Sequence, residues 1–275
     1  MSVQIEDSGR RSIQVEVEVP GTPEEVWQAI ASGPGISSWF APAEVEERDG
    51  KPVALRLTLA PGMETSSVVT AWDAPRKFAT EGEGWFPGSP PVATEWSVEA
   101  RAGGVCVVRM VQSLFASTDD WDDQLIGTES GIPGAFHILQ LYLTYFRGQR
   151  SAFMQFMAPV AGTPTDAWAA LTAALGFDSL GAGRSWAVPA GVPALGGVVE
   201  DVKQSPPGAL LRLDRPGPGI AALFTMDLGG ESVMAAFSFY LYGDQAAATV
   251  AREKPVWQSW IQERFPMPTE LSASE

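Results

Sequence analysis

The chain has 275 residues, 45 % hydrophobic and 19 % charged, a balance that describes a folded globular protein rather than a disordered one. Its formal net charge of −15 opposes nucleic acid and anionic membrane surfaces, and no apolar run approaches the ~20 residues of a membrane-spanning helix. One Cys, Cys106, excludes an internal disulfide and fits a reducing compartment, and one His, His137, excludes a two-histidine metal site.

Residues 1–11 read as a frayed start with no basic stretch followed by an apolar core, so no signal peptide is expected and a cytoplasmic location is the default. Ile13, Val15, Val17 and Val19 then alternate with Gln14, Glu16 and Glu18, the pattern of a strand with one wet face. Thr22 is a good N-cap, Pro23 suits the first helical position, and Glu25, three residues on, completes a capping box. Val26 and Ile30 share a face of the predicted helix, with Trp27 beside them. Ser32-Gly33-Pro34-Gly35 reads as the break that ends it, and Ile36 to Phe40 as a short turn ending in Trp39-Phe40.

Short strands follow at 43–48, 53–59, 66–72, 77–80, 92–100 and 105–114, punctuated by Asp49-Gly50, Pro61-Gly62, Asp73-Ala74-Pro75 and Gly103-Gly104. Such regular turns predict a meandering antiparallel sheet. From Thr118 the pattern becomes helical, with a break or kink expected at Pro133-Gly134. Beyond it Ala135, Ile138, Leu139, Tyr142, Leu143 and Phe146 fall within an arc of about 140° that should close over the sheet.

The second half repeats the first. Val160-Ala-Gly-Thr-Pro-Thr-Asp-Ala-Trp168 matches Val19-Pro-Gly-Thr-Pro-Glu-Glu-Val-Trp27 at an offset of 141 residues, which also places Leu171 on Ile30 and Gly176 on Gly35. Thr163 with Asp166 keeps the cap logic with a shorter acid. Strands are expected at 197–203, 209–214, 220–227 and 233–242, then a helix from Asp244 that Pro255 interrupts, with Trp257, Trp260 and Ile261 beyond it. This copy is shorter, and Leu180-Gly181 stands where the first has Trp39-Phe40.

Thr22-Pro-Glu-Glu-Val-Trp27, Gly35-Ile-Ser-Ser-Trp-Phe40, Val111-Gln-Ser113 and Tyr142-Leu-Thr-Tyr-Phe-Arg-Gly148 together resemble the SRPBCC (START-like) superfamily. Within it, the chain is similar to proteins named for the C-terminal domain of the Hsp90 ATPase activator. The resemblance implies an α+β helix-grip fold, a curved antiparallel sheet around a long C-terminal helix with a cavity between them. The resemblance spans about the first 150 residues, and with the internal repeat it leads to two copies, a START-like domain over 1–150 and a shorter, divergent one over 151–275.

Few residues invite acid–base chemistry. His137 lies opposite the apolar helix stripe and reads as a histidine facing water or the other domain. Cys106 shares a strand face with Val108, Met110 and Gln112 and reads as a buried inert thiol. Arg215-Pro-Gly-Pro-Gly219 lacks the lysine of a phosphate loop, and the adjacent acidic pairs read as solvated strand ends and helix starts. No catalytic residue, metal or cofactor is assigned.

What the resemblance leaves is a cavity. Its wall would draw on Leu55, Leu57, Trp96, Val98, Val108, Met110, Leu139, Tyr142 and Leu143, with Trp39, Phe40, Trp72 and Trp85 at an entrance. Gln112 and the Tyr142 hydroxyl are the polar groups that would orient a ligand. The leading expectation is a cytosolic protein that binds a small apolar or amphipathic molecule, with no nucleic-acid or membrane partner. A polyketide cyclase/dehydrase-like enzyme is the alternative the superfamily also includes. A third is a co-chaperone-like interaction module, although no stretch resembles the activator's N-terminal Hsp90-binding domain. The duplicated halves could pack through their outer helix faces or support a homodimer.

Overall fold

The computed structural model describes residues 4–5, 10–60, 62–83, 90–115, 122–177, 181–204, 207–227 and 232–266. The chain divides into two compact units, Met1–Arg147 and Gly148–Glu275.

The first unit runs β1 (Gln4–Ile5), β2 (Arg10–Pro20), α1 (Pro23–Ala31), α2 (Gly33–Ser37), β3 (Ala43–Arg48), β4 (Lys51–Ala60), β5 (Met63–Asp73), β6 (Lys77–Gly82), β7 (Val92–Arg101), β8 (Val105–Phe115) and α3 (Asp122–Tyr145). Its strands form one antiparallel sheet in the order β1-β2-β8-β7-β6-β5-β4-β3, so β3 to β8 meander and β2 closes against the last of them. α3 lies chiefly along β2.

Local chemistry places the start of α1 as the sequence predicts. The Thr22 hydroxyl accepts from the Glu25 amide at 3.3 Å, and the Glu25 carboxylate accepts from the Thr22 amide at 2.8 Å. This reciprocal box satisfies two donors that the first helical turn leaves open. The expected break at Ser32-Gly33-Pro34-Gly35 is corrected: Gly33, Pro34 and Gly35 are themselves helical and form α2 with Ile36 and Ser37. Ser32 is the actual hinge. Its hydroxyl donates to the Gln28 carbonyl at 2.6 Å and accepts from the Gly35 amide at 3.0 Å, closing α1 and opening α2. Pro34 fits because it stands in the first turn of α2, where no backbone donor is needed.

β2 begins at Arg10, three residues before the predicted alternation. Pro133 does not end α3, and Pro255 does not end α5 below. A proline removes one backbone donor. The buried residues that follow, Phe136, Leu139 and Leu143 in α3 and Trp257 and Trp260 in α5, hold each helix in place by packing. The helix start predicted at Thr118 lies outside the described residues.

The second unit runs β9 (Ser151–Ala161), α4 (Pro164–Leu175), β10 (Ser185–Ala187), β11 (Gly196–Gln204), β12 (Pro207–Arg215), β13 (Gly219–Asp227), β14 (Ser232–Tyr242) and α5 (Ala246–Arg264). Its antiparallel sheet has the order β10-β11-β12-β13-β14-β9, with α4 against β13 and β14 and α5 against β9 and β14. The capping box is repeated: the Asp166 amide donates to the Thr163 hydroxyl at 3.3 Å and the Thr163 amide to the Asp166 carboxylate at 2.9 Å. Both units therefore build a helix-grip α+β fold, and the second is trimmed: among the described residues six strands stand in its sheet against eight in the first.

The candidate site in the first unit

Strand register decides which side chains of the first sheet face α3. Gln112 stands between Ile13 and Thr94, Met110 between Val15 and Trp96, and Val108 between Val17 and Val98. The same face continues through Phe78 opposite Trp96 and Trp72 opposite Phe78. It then reaches Ser67 and Thr65, which pair with Leu55 and Leu57. The Trp96 ring meets Phe136 of α3 at 5.7 Å, which identifies this as the helix-facing side.

Most of the predicted wall is packed solid. Val98, Val108, Met110, Leu139 and Leu143 are buried, and Tyr142 with them. Trp96 stacks on Phe78 at 6.1 Å with rings 10° apart and meets Trp39 edge-on at 6.2 Å, while Trp72 meets Trp27 at 5.2 Å and Phe78 at 5.5 Å. Each such aromatic pair stabilises by about 0.5–1.5 kcal/mol beyond the area it buries. Trp39 is not an entrance residue as expected. It is buried, its indole N–H donates to the Ala29 carbonyl at 2.9 Å, and it fixes α2 to the end of α1. Trp27, Phe78 and Phe136, which sequence reasoning did not assign to the site, complete this cluster. Strict alternation with Lys77 and Ala79 was the available signal for Phe78.

Phe40, Leu55, Leu57, Trp72 and Trp96 stay half-buried. Trp85 lies outside the described residues. Four of the half-buried five, Leu55, Leu57, Trp72 and Trp96, sit on the helix-facing side of β4, β5 and β7, which makes that end of the sheet the incompletely covered part of the wall.

Gln112 is the polar feature of this face. It is only 5 % exposed, and its amide donates to the Thr94 hydroxyl at 3.5 Å, the outer limit of a useful hydrogen bond. Thr80, buried, lies opposite Thr94. Among the described positions of this face from Ile13 on β2 to Leu55 and Leu57 on β4, the register places no carboxylate, histidine or lysine; on β3, Glu47 stands on the side of Val45. Cys106 is fully buried and its thiol donates to the Gly21 carbonyl at 3.3 Å. Burial first, then the charges of Glu24 and Glu25, push its pKa up, so it holds its proton. His137 is half-buried on α3, between the buried Phe136 and Ile138.

Residues 10–128 match the family described as polyketide cyclase / dehydrase and lipid transport. The match lies within the first unit and covers most of it. Comparison with curated proteins finds no match. Among solved structures, the chain is similar to the di-domain ARO/CYC BexL from the BE-7585A biosynthetic pathway, with 14 % identity over 94 % of this chain and 99 % of that one (TM-score 0.45). It is similar to DynU16, a protein of the dynemicin biosynthetic locus, at 16 % identity over 91 % and 95 % of the two chains (TM-score 0.41). It is also similar to the Aha1 dimer from Colwellia psychrerythraea, at 16 % identity over 50 % and 98 % (TM-score 0.39). No group of three or more His, Cys, Asp or Glu among the described residues could hold a metal ion, and no described helix is long and apolar enough to cross a membrane.

Proposed function

We propose that the first unit binds a small apolar or amphipathic molecule on the helix-facing side of its sheet, where Leu55, Leu57, Trp72 and Trp96 remain half-buried. The observation that carries this reading is Gln112, a buried amide whose one weak contact to Thr94 leaves most of its hydrogen-bonding capacity for a guest. Binding would draw on burial of apolar ligand surface at roughly 25 cal/mol per Å², with Gln112 and Thr94 setting orientation. The fully buried Val98, Val108, Met110, Leu139 and Leu143 act as the floor that holds this surface rather than as contacts.

The family match favours a second reading, a cyclase- or dehydrase-type enzyme that works by holding a reactive chain in one shape. From β2 to β4 the described part of the face supplies amide and hydroxyl groups rather than a general base, which favours the binding reading.

Native mass spectrometry of protein purified from its own host, followed by denaturing extraction, tests the proposal. A discrete co-purifying small molecule whose retention falls in Gln112→Leu is expected. Protein that is empty across several preparations, or that retains its guest unchanged in Gln112→Leu, overturns it. Turnover of the extracted molecule would move the weight to the enzyme.

A further inference from the structure

A cleft of about 310 Å³ opens beside the α1–α2 junction, where Ser32, Gly33 and Pro34 face the β3–β4 hairpin and Trp72. Strand chemistry shapes it. On β3, Val45 and Glu47 are two residues apart and point to the same side. Between Glu46 and Glu47 the register slips: Glu46 pairs with Ala54, but Glu47 pairs with Pro52, so Val53 is the extra residue of a bulge. The bulge brings Pro52 to the Val45 side, and Val45, Glu47, Pro52 and Trp72 all line the cleft. A carboxylate is thus aimed into a recess walled by an indole ring and two prolines, Pro34 and Pro52.

The charges here are also unbalanced. Glu46, on the other side of β3, is paired with Arg56 at 3.1 Å. Glu47, which lines the cleft, is exposed and has no ion-pair partner among the described residues, although Arg48 and Lys51 stand at the tip of the same hairpin; Glu44 shares the side of Glu46 and borders Gly33 through its backbone. An indole face attracts a cation through its quadrupole, and a carboxylate beside it adds charge and a hydrogen-bond acceptor.

We propose that this cleft binds an organic cation, an alkyl-ammonium or alkyl-guanidinium group whose charged head meets Glu47 and whose methylenes lie on Trp72 and the prolines. The volume suits one such head and a short stem, and the overall charge of −15 draws cations toward the surface. The same chemistry is carried by a free amine and by a Lys or Arg side chain of an extended peptide. The cleft shares Trp72 with the apolar surface but does not use Gln112, so Gln112→Leu should leave cation binding unchanged.

The test is titration of the isotopically labelled full chain with butylguanidinium and with butylammonium, read in amide and indole N–H correlation spectra. Saturable shifts confined to the Trp72 indole and the amides of Gly33, Glu44 and Glu47 are expected. Glu47→Gln should weaken binding at least fivefold, and Glu44→Gln, on the other side of the strand, should leave it within twofold. Neither side chain has a partner to lose, so both variants fold. Raising sodium chloride to 0.5 M should weaken binding further. A neutral 1-pentanol titration that moves the same signals with the same affinity overturns the proposal, as does an unchanged affinity in Glu47→Gln. Within a positive result, acetyl-Gly-Arg-Gly-amide binding as well as butylguanidinium marks a peptide-borne cation, and its failure to bind marks a free amine.

Discussion

Replacing Gln112 by Leu separates a ligand handle from a structural hydrogen bond. Gln112 is 5 % exposed between Ile13 and Thr94, and its contact to Thr94 is 3.5 Å long. A primary amide offers two donors and two acceptor sites, so most of its capacity is unused in the empty fold. Burying an amide without full compensation costs about 1–3 kcal/mol on mutational scales. A bond this long returns at most about 0.5 kcal/mol. Leu fills a similar volume with apolar atoms, so Gln112→Leu is expected to stabilise the first unit by about 0.5–2 kcal/mol. For a domain of this size that raises the unfolding midpoint by roughly 2–4 °C per kcal/mol, while retention of the co-purifying molecule falls. Differential scanning calorimetry of the ligand-stripped chain, beside extraction of the untreated chain, reads both effects. Destabilisation by more than about 1 kcal/mol would show that the fold already satisfies the amide, and the argument for Gln112 as an orienting group would fail. A gain in one property at the expense of the other is the pattern expected of a functional polar group in an apolar wall.

The repeat also makes paired glycines separable. A Cβ on Gly35 would stand 1.9 Å from the Gln28 carbonyl oxygen, so Gly35→Ala must push α2 off α1 and should cost about 3 kcal/mol or more in urea unfolding. Gly176 is its counterpart in the repeat but serves another need: it caps α4 at φ 71° and ψ 35°, and Gly176→Ala should cost about 1–2 kcal/mol. The backbone and side-chain hydrogen bonds from Thr163 hold the Asp166 carboxyl below its usual pKa. A depressed carboxyl contributes stability above its unfolded pKa and loses it as pH falls through the folded one. Asp166→Asn should therefore flatten the acid limb of second-unit stability below about pH 4, measured by unfolding midpoints against pH. The Cys106 thiol should resist iodoacetamide in the native chain at pH 8 and react on unfolding in urea, followed by mass spectrometry; labelling at the rate of a free thiol would contradict its burial.

Much of the fold is legible along the chain because its signals are local. The Thr22/Glu25 and Thr163/Asp166 boxes are each set by residues three apart, and both form as read. The strand predicted at 43–48 is β3 residue for residue, and the others differ mainly by a few residues at their ends, where pairing with a neighbour extends them. The misreadings are of two kinds. Gly33-Pro34-Gly35 reads as a breaker run, yet Ser32 caps a new helix through it, because Pro in a first turn and Gly under a tight crossing are both tolerated there. Pro133 and Pro255 read as interruptions, yet packing carries α3 and α5 past them.

Alternating Val, Glu and Gln in β2, the two capping boxes and the 141-residue offset determine by themselves that this is a duplicated α+β chain with amphipathic strands, since a side chain's face follows from its place in a short period. Which of the large inward side chains fill one another's space follows from no such period. Trp27, Phe78, Trp96 and Phe136 come from four separate elements and Trp39 from the turn after α2, and only their convergence turns Trp39 from a doorway into core while leaving Leu55 and Leu57 half-covered. The slip at Val53 that turns Pro52 toward Glu47 and Trp72 is likewise a property of two paired strands. Packing and register are distances between segments remote in sequence, and the tertiary structure alone sets them.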